Sequence, residues 1–247
     1  MKTEILYGVH PVCEALAANR RHVFEICIDR EKKSGRIAQL LSLAESRGIA
    51  PKTIGPDDFR TLAGSARHQG VVARVSPYPL SSVADIMQSI QDGKRTPFLL
   101  MLDNILDPRN LGAIIRTALC VGIDGVILPK DRSATPTPSV SRASAGALEH
   151  INLARVTNLV NTIKHLKSAG LWIVGLQKDA RESIYAGDRT GPMAVVVGGE
   201  QKGIRPLIGK QCDFLVSIPQ QGPVDSLNAS VAAGVAMYEL FRQRQNR

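Results

Sequence analysis

Short apolar runs alternate with stretches of helical periodicity along the whole chain. Residues 23–29 and 70–75 read as strands, residues 51–54 as a shorter one, and residues 10–19, 37–46 and 57–63 as helices. In the second helix Ile37, Leu40, Leu41 and Ala44 fall on one face. Residues 76–95 break this rhythm. They begin Ser-Pro-Tyr-Pro-Leu-Ser-Ser and end Gln-Asp-Gly-Lys-Arg, which reads as a linker with one helical turn near 83–90. From residue 97 the alternation restarts more strongly, with strands expected at 98–102, 125–128, 171–175, 194–197 and 214–218 and a last helix over 226–242. Apolar strand runs separated by helices indicate a parallel sheet covered on both faces, an α/β fold that binds its ligands beyond the carboxyl ends of the strands. The expected organisation is a small α/β domain over 1–75, a linker over 76–95 and a larger domain over 96–247.

Composition changes this picture little. At 247 residues, 44% hydrophobic and 21% charged, the chain is globular rather than disordered or fibrous. Its apolar runs fall far short of the roughly 20 residues that span a bilayer, and its first residues lack the apolar stretch of a signal peptide. These features predict a soluble, cytoplasmic protein with no membrane partner. Cys13, Cys27, Cys120 and Cys212 stand far apart without metal-ligand spacing, so they are expected to be core residues in a reducing compartment, with no metal bound.

Charge adds more. The net value of +9 is spread along the chain, +3 over residues 1–90 and +5 over residues 96–247. A polyanionic partner, most naturally nucleic acid, would therefore lie across folded surface rather than on a tail. Ten aromatic residues in the whole chain are too few for an aromatic base-stacking platform.

The common chemical signatures are missing. Gly198-Gly199-Glu200-Gln201-Lys202-Gly203 is neither a dinucleotide fingerprint nor a Walker loop, and no GxSxG or HExxH occurs. Three other strand-to-loop junctions are richer. The first runs from Asp103 through Asn104, Asp107, Pro108, Asn110 and Gly112 into a helix whose apolar stripe is Leu111, Ile114, Ile115, Ala118 and Leu119. Arg116 lies off that stripe and Asn110 sits at or near the N-cap, so a guanidinium and an amide converge on one loop mouth; a capped helix with a solvated arginine would read the same way. The second is the glycine pair Gly198 and Gly199 after an apolar strand, which lets backbone approach a ligand and leaves Glu200 at the strand end. The third holds Ile218, Pro219, Gln220, Gly222, Pro223, Asp225, Ser226, Leu227 and Asn228 before the last helix, with Asp225 or Ser226 as its cap. Leu227, Val231, Gly234, Val235, Tyr238 and Phe241 give that helix an apolar face suited to a core or a partner.

In order, these read Asn-x-x-Asp-Pro-x-Asn-x-Gly-x-x-x-Arg, Gly-x-Glu-x-x-Gly and Ile-Pro…Ser-Leu-Asn-x-Ser. The trio resembles the three motifs of the SpoU (TrmH) branch of the SPOUT RNA methyltransferases. Tyr7 to Leu16 and His68-Gln69-Gly70-Val71 resemble the ends of that family's N-terminal, L30e-like substrate-binding domain. Pro129 to Ala134 further resembles the subgroup that methylates a guanosine 2′-hydroxyl in large-subunit (23S) rRNA. Gln220 and Pro223-Val224-Asp225 depart from the usual third loop, which bears on the nucleotide rather than the cofactor.

The resemblance implies a metal-free transfer of methyl from S-adenosylmethionine to a ribose 2′-oxygen, by a homodimer whose C-terminal domain carries a deep trefoil knot. It assigns cofactor binding to Gly198, Gly199, Ile218, Pro219, Leu227 and Asn228. Catalysis falls to Arg116, assisted by Asn110, Glu200, Ser226 and Asn228, with the arginine facing the partner's cofactor. A guanidinium stays charged at any working pH, so Arg116 is expected to stabilise the developing alkoxide while Glu200 or solvent takes the proton. Three alternatives stand beside this reading: a tRNA substrate, a resistance-type rRNA methylase, and a non-catalytic RNA- or ribosome-binding protein.

Overall fold

The computed structural model describes residues 2–29, 35–64, 68–199, 202–223 and 226–245. The chain forms two units, one of residues 1–79 with 135–150 and one of residues 80–134 with 151–247.

The first unit opens with β1 (Glu4–Tyr7), α1 (Val9–Ala18), β2 (Val23–Asp29), α2 (Gly35–Ser46), β3 (Lys52–Ile54), α3 (Pro56–Ala63) and β4 (Val71–Val75). Its sheet has the order β1-β4-β2-β3; β4 runs antiparallel to both neighbours and β2 parallel to β3. The period-2 alternation of the strands sends Leu6, Ile26, Ile28, Val71, Ala73 and Val75 to one face, against Val12 and Leu16 of α1 and Ile37, Leu40 and Ala44 of α2. Cys27 and Val72 point the other way, onto the buried Phe59 of α3.

The second unit begins where the sequence suggested a linker. Residues 83–92 form a three-turn helix, α4 (Val83–Asp92), rather than a single turn. Ser82 caps it, accepting from the Asp85 N–H while Asp85 accepts in return from the Ser82 N–H, and Ile86 and Ile90 are buried. Then follow β5 (Phe98–Asp103), α5 (Pro108–Cys120) and β6 (Gly125–Pro129).

After β6 the chain makes an excursion, residues 135–150, that folds with the first unit. It contains α6 (Pro138–Ala143) and a single 3-10 turn, Ala147–Glu149. A buried polar cluster fixes it there. Arg21 pairs with Glu4 at 2.5 Å and lies 3.6 Å from Glu149, whose Oε1 accepts from the Ser141 hydroxyl at 2.7 Å. Burial raises the Glu149 carboxyl above the usual range, against the opposing pull of Arg21 and of the Ser141 hydrogen bond.

The chain then completes the second unit with β7 (Leu153–Val156), α7 (Leu159–Ser168), β8 (Trp172–Leu176), β9 (Glu182–Ser183), β10 (Met193–Gly198), α8 (Pro206–Gly209), β11 (Phe214–Ser217) and α9 (Ala229–Gln245). Among the described residues its sheet has seven strands in the order β7-β6-β5-β10-β8-β11-β9, all parallel. The central β5 and β10 are buried along nearly their whole length, as continuous apolar runs require in a sheet covered on both faces. On one face Leu99, Met101, Ala194 and Val196 join Ile86, Ile90, Ile163 and Leu166 in a single core. The opposite face is covered by α5 and α9, which pack on each other. No helix of the described residues is long and apolar enough to cross a membrane.

Candidate active site

Every strand of this sheet points the same way, so the loops after β5, β8, β10 and β11 gather at one rim. There the loops after β8, β10 and β11 enclose a cavity of about 580 Å³, within the range of small-molecule sites. Its walls come from Leu176 to Asp179 after β8, from Val197 to Gly199 and Lys202 to Ile204 after β10, and from Ile218, Gln220, Ser226, Leu227 and Ala229 after β11. Apolar surface alternates with amide, hydroxyl and charged groups, a lining suited to a ligand with a flat apolar part and a polar tail.

The glycine pair is a steric requirement. A Cβ on Gly198 would lie 2.0 Å from the Gly203 carbonyl carbon, and one on Gly199 would lie 2.3 Å from the Asn104 carbonyl oxygen. The loop after β10 therefore folds back on its own strand and presses on the exit of β5. The Gly203 N–H donates to the Gly199 carbonyl at 2.9 Å, closing the turn.

The loop after β5 is rigid as well. Asp107, not Asn110, is the N-cap of α5: its carboxylate accepts from the Arg109 N–H at 2.8 Å. The hydrogen bonds from Arg109 hold the Asp107 carboxyl below the usual carboxylate range. Asn110 stands instead in the first helical turn, and its Oδ1 accepts from Asn228 Nδ2 at 3.2 Å. Asn228 also takes the capping role expected of Asp225 or Ser226. Its Oδ1 accepts from the backbone N–H of Ser230 at 2.8 Å and from the Ser230 hydroxyl at 2.6 Å, just before α9.

Of the residues singled out in the sequence, Gly198, Gly199, Ile218, Ser226 and Leu227 line the cavity. Pro219 and Asn228 belong to the same loop without lining it, and Asn110 joins the group only through Asn228. Arg116 projects from the exposed side of α5 and makes no hydrogen bond or ion pair among the described residues. Glu200, like Val224 and Asp225, lies outside the described residues.

Two features at this rim carry no role assigned from the sequence. One is the β8 exit, Leu176 to Asp179, a fourth strand end at the same rim. The other is Asp103, the acid that closes the apolar run of β5. It is fully buried and accepts from Arg205 twice, from the backbone N–H at 3.0 Å and from Nε at 2.8 Å, with Nη2 paired to the same Oδ1 at 2.8 Å. A charged residue at the carboxyl end of an otherwise apolar strand was the available signal. Among the described residues no group of three or more His, Cys, Asp or Glu could hold a metal ion.

Comparison with known proteins agrees with this geometry. Residues 97–238 match the SpoU rRNA Methylase family, and residues 5–81 match the family described as RNA 2′-O ribose methyltransferase substrate binding. The chain is 41% identical over 244 residues to the 23S rRNA (guanosine-2′-O-)-methyltransferase RlmB of Pseudomonas putida, covering 98% of this chain and 97% of that protein. It is 39% identical over 245 residues to the protein of the same name from Photobacterium profundum, covering 99% and 100%. Among solved structures, the SpoU methyltransferase AviRb from Streptomyces viridochromogenes in complex with the cofactor AdoMet superposes with a TM-score of 0.79 at 27% identity, covering 99% of this chain and 92% of that one.

Proposed function

The chain belongs to the SpoU rRNA methylase family, and from that premise we propose that it transfers a methyl group from S-adenosylmethionine to the ribose 2′-hydroxyl of a guanosine in 23S rRNA. The observation that carries this reading is the cavity, in which two loops far apart in sequence meet: Gly198 and Gly199 after β10, Ile218 and Leu227 after β11.

The residues present fit the cofactor. Gly198 and Gly199 leave backbone, not side chain, on the cavity wall, and Leu176, Ile218 and Leu227 offer apolar faces for an adenine. Gln177, Asp179, Gln220 and Ser226 offer partners for ribose hydroxyls and for the amino-acid end. When bound, S-adenosylmethionine supplies an already activated methyl group on its sulfonium.

What the protein must add is alignment and charge stabilisation, because a ribose hydroxyl is a weak nucleophile. We assign the stabilising role to Arg116, whose guanidinium keeps its charge throughout and can hold the ribose oxygen as negative charge grows on it. Glu200 or solvent takes the hydroxyl proton. Ser226 donates or accepts at the mouth of the cavity, and Asn110 with Asn228 fixes the approach of the two helices that carry these groups.

Arg116 stands away from its own chain's cavity lining, which supports a homodimer in which it serves the partner's cofactor. The surface for such a dimer is apolar: Val231 and Tyr238 on α9 are half exposed and Leu119 on α5 more than a third. The close backbone approach of Gly199 to Asn104, and of Gly198 to Gly203 and Ile204, supports a trefoil-knotted arrangement of the rim loops. The first unit, L30e-like in its resemblance, would grip the RNA, with the distributed positive charge steering it in a cytoplasmic setting.

Calorimetric titration of the full chain with S-adenosylmethionine, without RNA, tests the reading. One site per chain is expected, and Leu227→Glu should abolish it. An RNA-binding protein without chemistry would show no such site.

A further inference from the structure

Resting on this reading of the cavity, we infer that Asp103 and Arg205 form a clamp that sets the shape of the cofactor loop, making both of them positioning residues for the reaction. Neither belongs to the three sequence motifs, and neither lines the cavity.

The loop between β10 and α8 supplies Gly198, Gly199, Lys202, Gly203, Ile204 and Pro206 to the cavity wall. Both of its ends are fixed on one residue. At the start, Gly198 stands opposite Asp103 in the parallel ladder between β10 and β5. At the finish, Arg205 sends two hydrogen bonds to the Asp103 carboxylate, from its backbone N–H to Oδ2 and from Nε to Oδ1, and its Nη2 pairs with the same Oδ1 at 2.8 Å. The distance between the two ends of the loop is thereby tied to the width of a single side chain. Asp103 is fully buried while the Arg205 side chain keeps 44% of its surface, so among the described residues the carboxylate takes its charge compensation from this arginine.

The form of the bond matters. The planar guanidinium brings Nε and Nη2 together onto one oxygen, Oδ1, while the backbone N–H takes Oδ2, fixing direction as well as distance. A lysine at 205 would keep the charge and the backbone N–H but lose the planar pair of donors. The loop would stay in place and its curvature would relax, widening the cavity at Ile204 and Pro206. Such a change weakens cofactor binding equally in the ground and transition states, so it raises KM for the cofactor and leaves kcat at saturation. A merely structural pair would lower the unfolding temperature without changing the affinity of the folded protein.

The test is calorimetric binding of S-adenosylmethionine, with KM, kcat and the unfolding temperature, on full-length parent, Arg205→Lys and Asp103→Asn. The expected result is a loss of cofactor affinity of about 10-fold or more, the scale of one charge-assisted hydrogen bond, matched in KM and absent from kcat. If a single variant does not fold, the pair Asp103→Asn with Arg205→Gln leaves no unpaired charge and carries the same expectation. Parent affinity in the folded variants would overturn the inference while leaving the cavity reading intact. No cofactor binding by the parent would overturn both.

Discussion

Asn228 donates its side-chain amide to Oδ1 of Asn110 at 3.2 Å, joining residues 118 positions apart. The same Asn228 turns its own Oδ1 to Ser230 at the start of α9. One short side chain thus caps the last helix and ties it to the first turn of α5, the helix that carries Arg116. The last helix and α5 are thereby joined at the carboxyl-end rim of the sheet.

Arg116→Ala should lower turnover about 10²–10³-fold, the usual loss of one donor aimed at developing charge. Cofactor affinity should be unchanged, because Arg116 does not line its own chain's cavity. Single-turnover rates with saturating cofactor check this, and a parent-like rate would remove the arginine from the chemistry.

Gly199→Ala should abolish cofactor binding, since the added Cβ would sit 2.3 Å from the Asn104 carbonyl oxygen, whereas Gly209→Ala, whose Cβ would meet nothing closer than 3.8 Å, should be silent. Mixed with Arg116→Ala, the Gly199→Ala chain should recover activity, up to about a quarter of the parent rate if subunits exchange freely in a two-fold dimer. No recovery in a mixture shown to contain heterodimers would place the arginine and the cofactor in one chain.

RNA affinity should fall with salt, with a log–log slope of about −0.7 for each phosphate contacted. The net charge of +9 underlies this expectation. Filter binding across a range of potassium chloride concentrations measures it; an affinity independent of salt would contradict electrostatic capture.

Stability should carry the signature of Glu149, whose folded carboxyl is raised above 4.5 by burial. A raised acid favours the native state below its unfolded value, and that advantage is lost as the pH climbs through the folded pKa. Thermal unfolding of the parent should therefore lose stability over that rise relative to Glu149→Gln. Parallel pH profiles for the two proteins would show that Glu149 does not titrate in this way.

The parallel sheet was legible because β5, β6 and β10 are apolar without interruption, the mark of strands buried on both faces. The glycine pair and the Ile218 and Leu227 loop were legible as segments following strand ends, and the structure places them around one cavity. Helix α4 was less so. Pro77 and Pro79 before it and the polar ends of the segment read as a linker, whereas the burial of Ile86 and Ile90 packs it into the core of the second unit. The excursion of residues 135–150 could not be read locally at all. It is held by Arg21, more than a hundred positions away, and periodicity carries no information about such a partner. Asn110 was misplaced as a cap because Asp107 and Asn110 are both good capping residues, and Pro108 at the first helical position decides for Asp107.

The most direct test of the account is transfer of labelled methyl from S-adenosylmethionine to unmethylated 23S rRNA by the purified full chain, with the modified position mapped by resistance to alkaline cleavage. Label is expected on the ribose 2′-oxygen of a guanosine, dependent on Arg116. Label on a base, or no label on 23S rRNA at all, would contradict it.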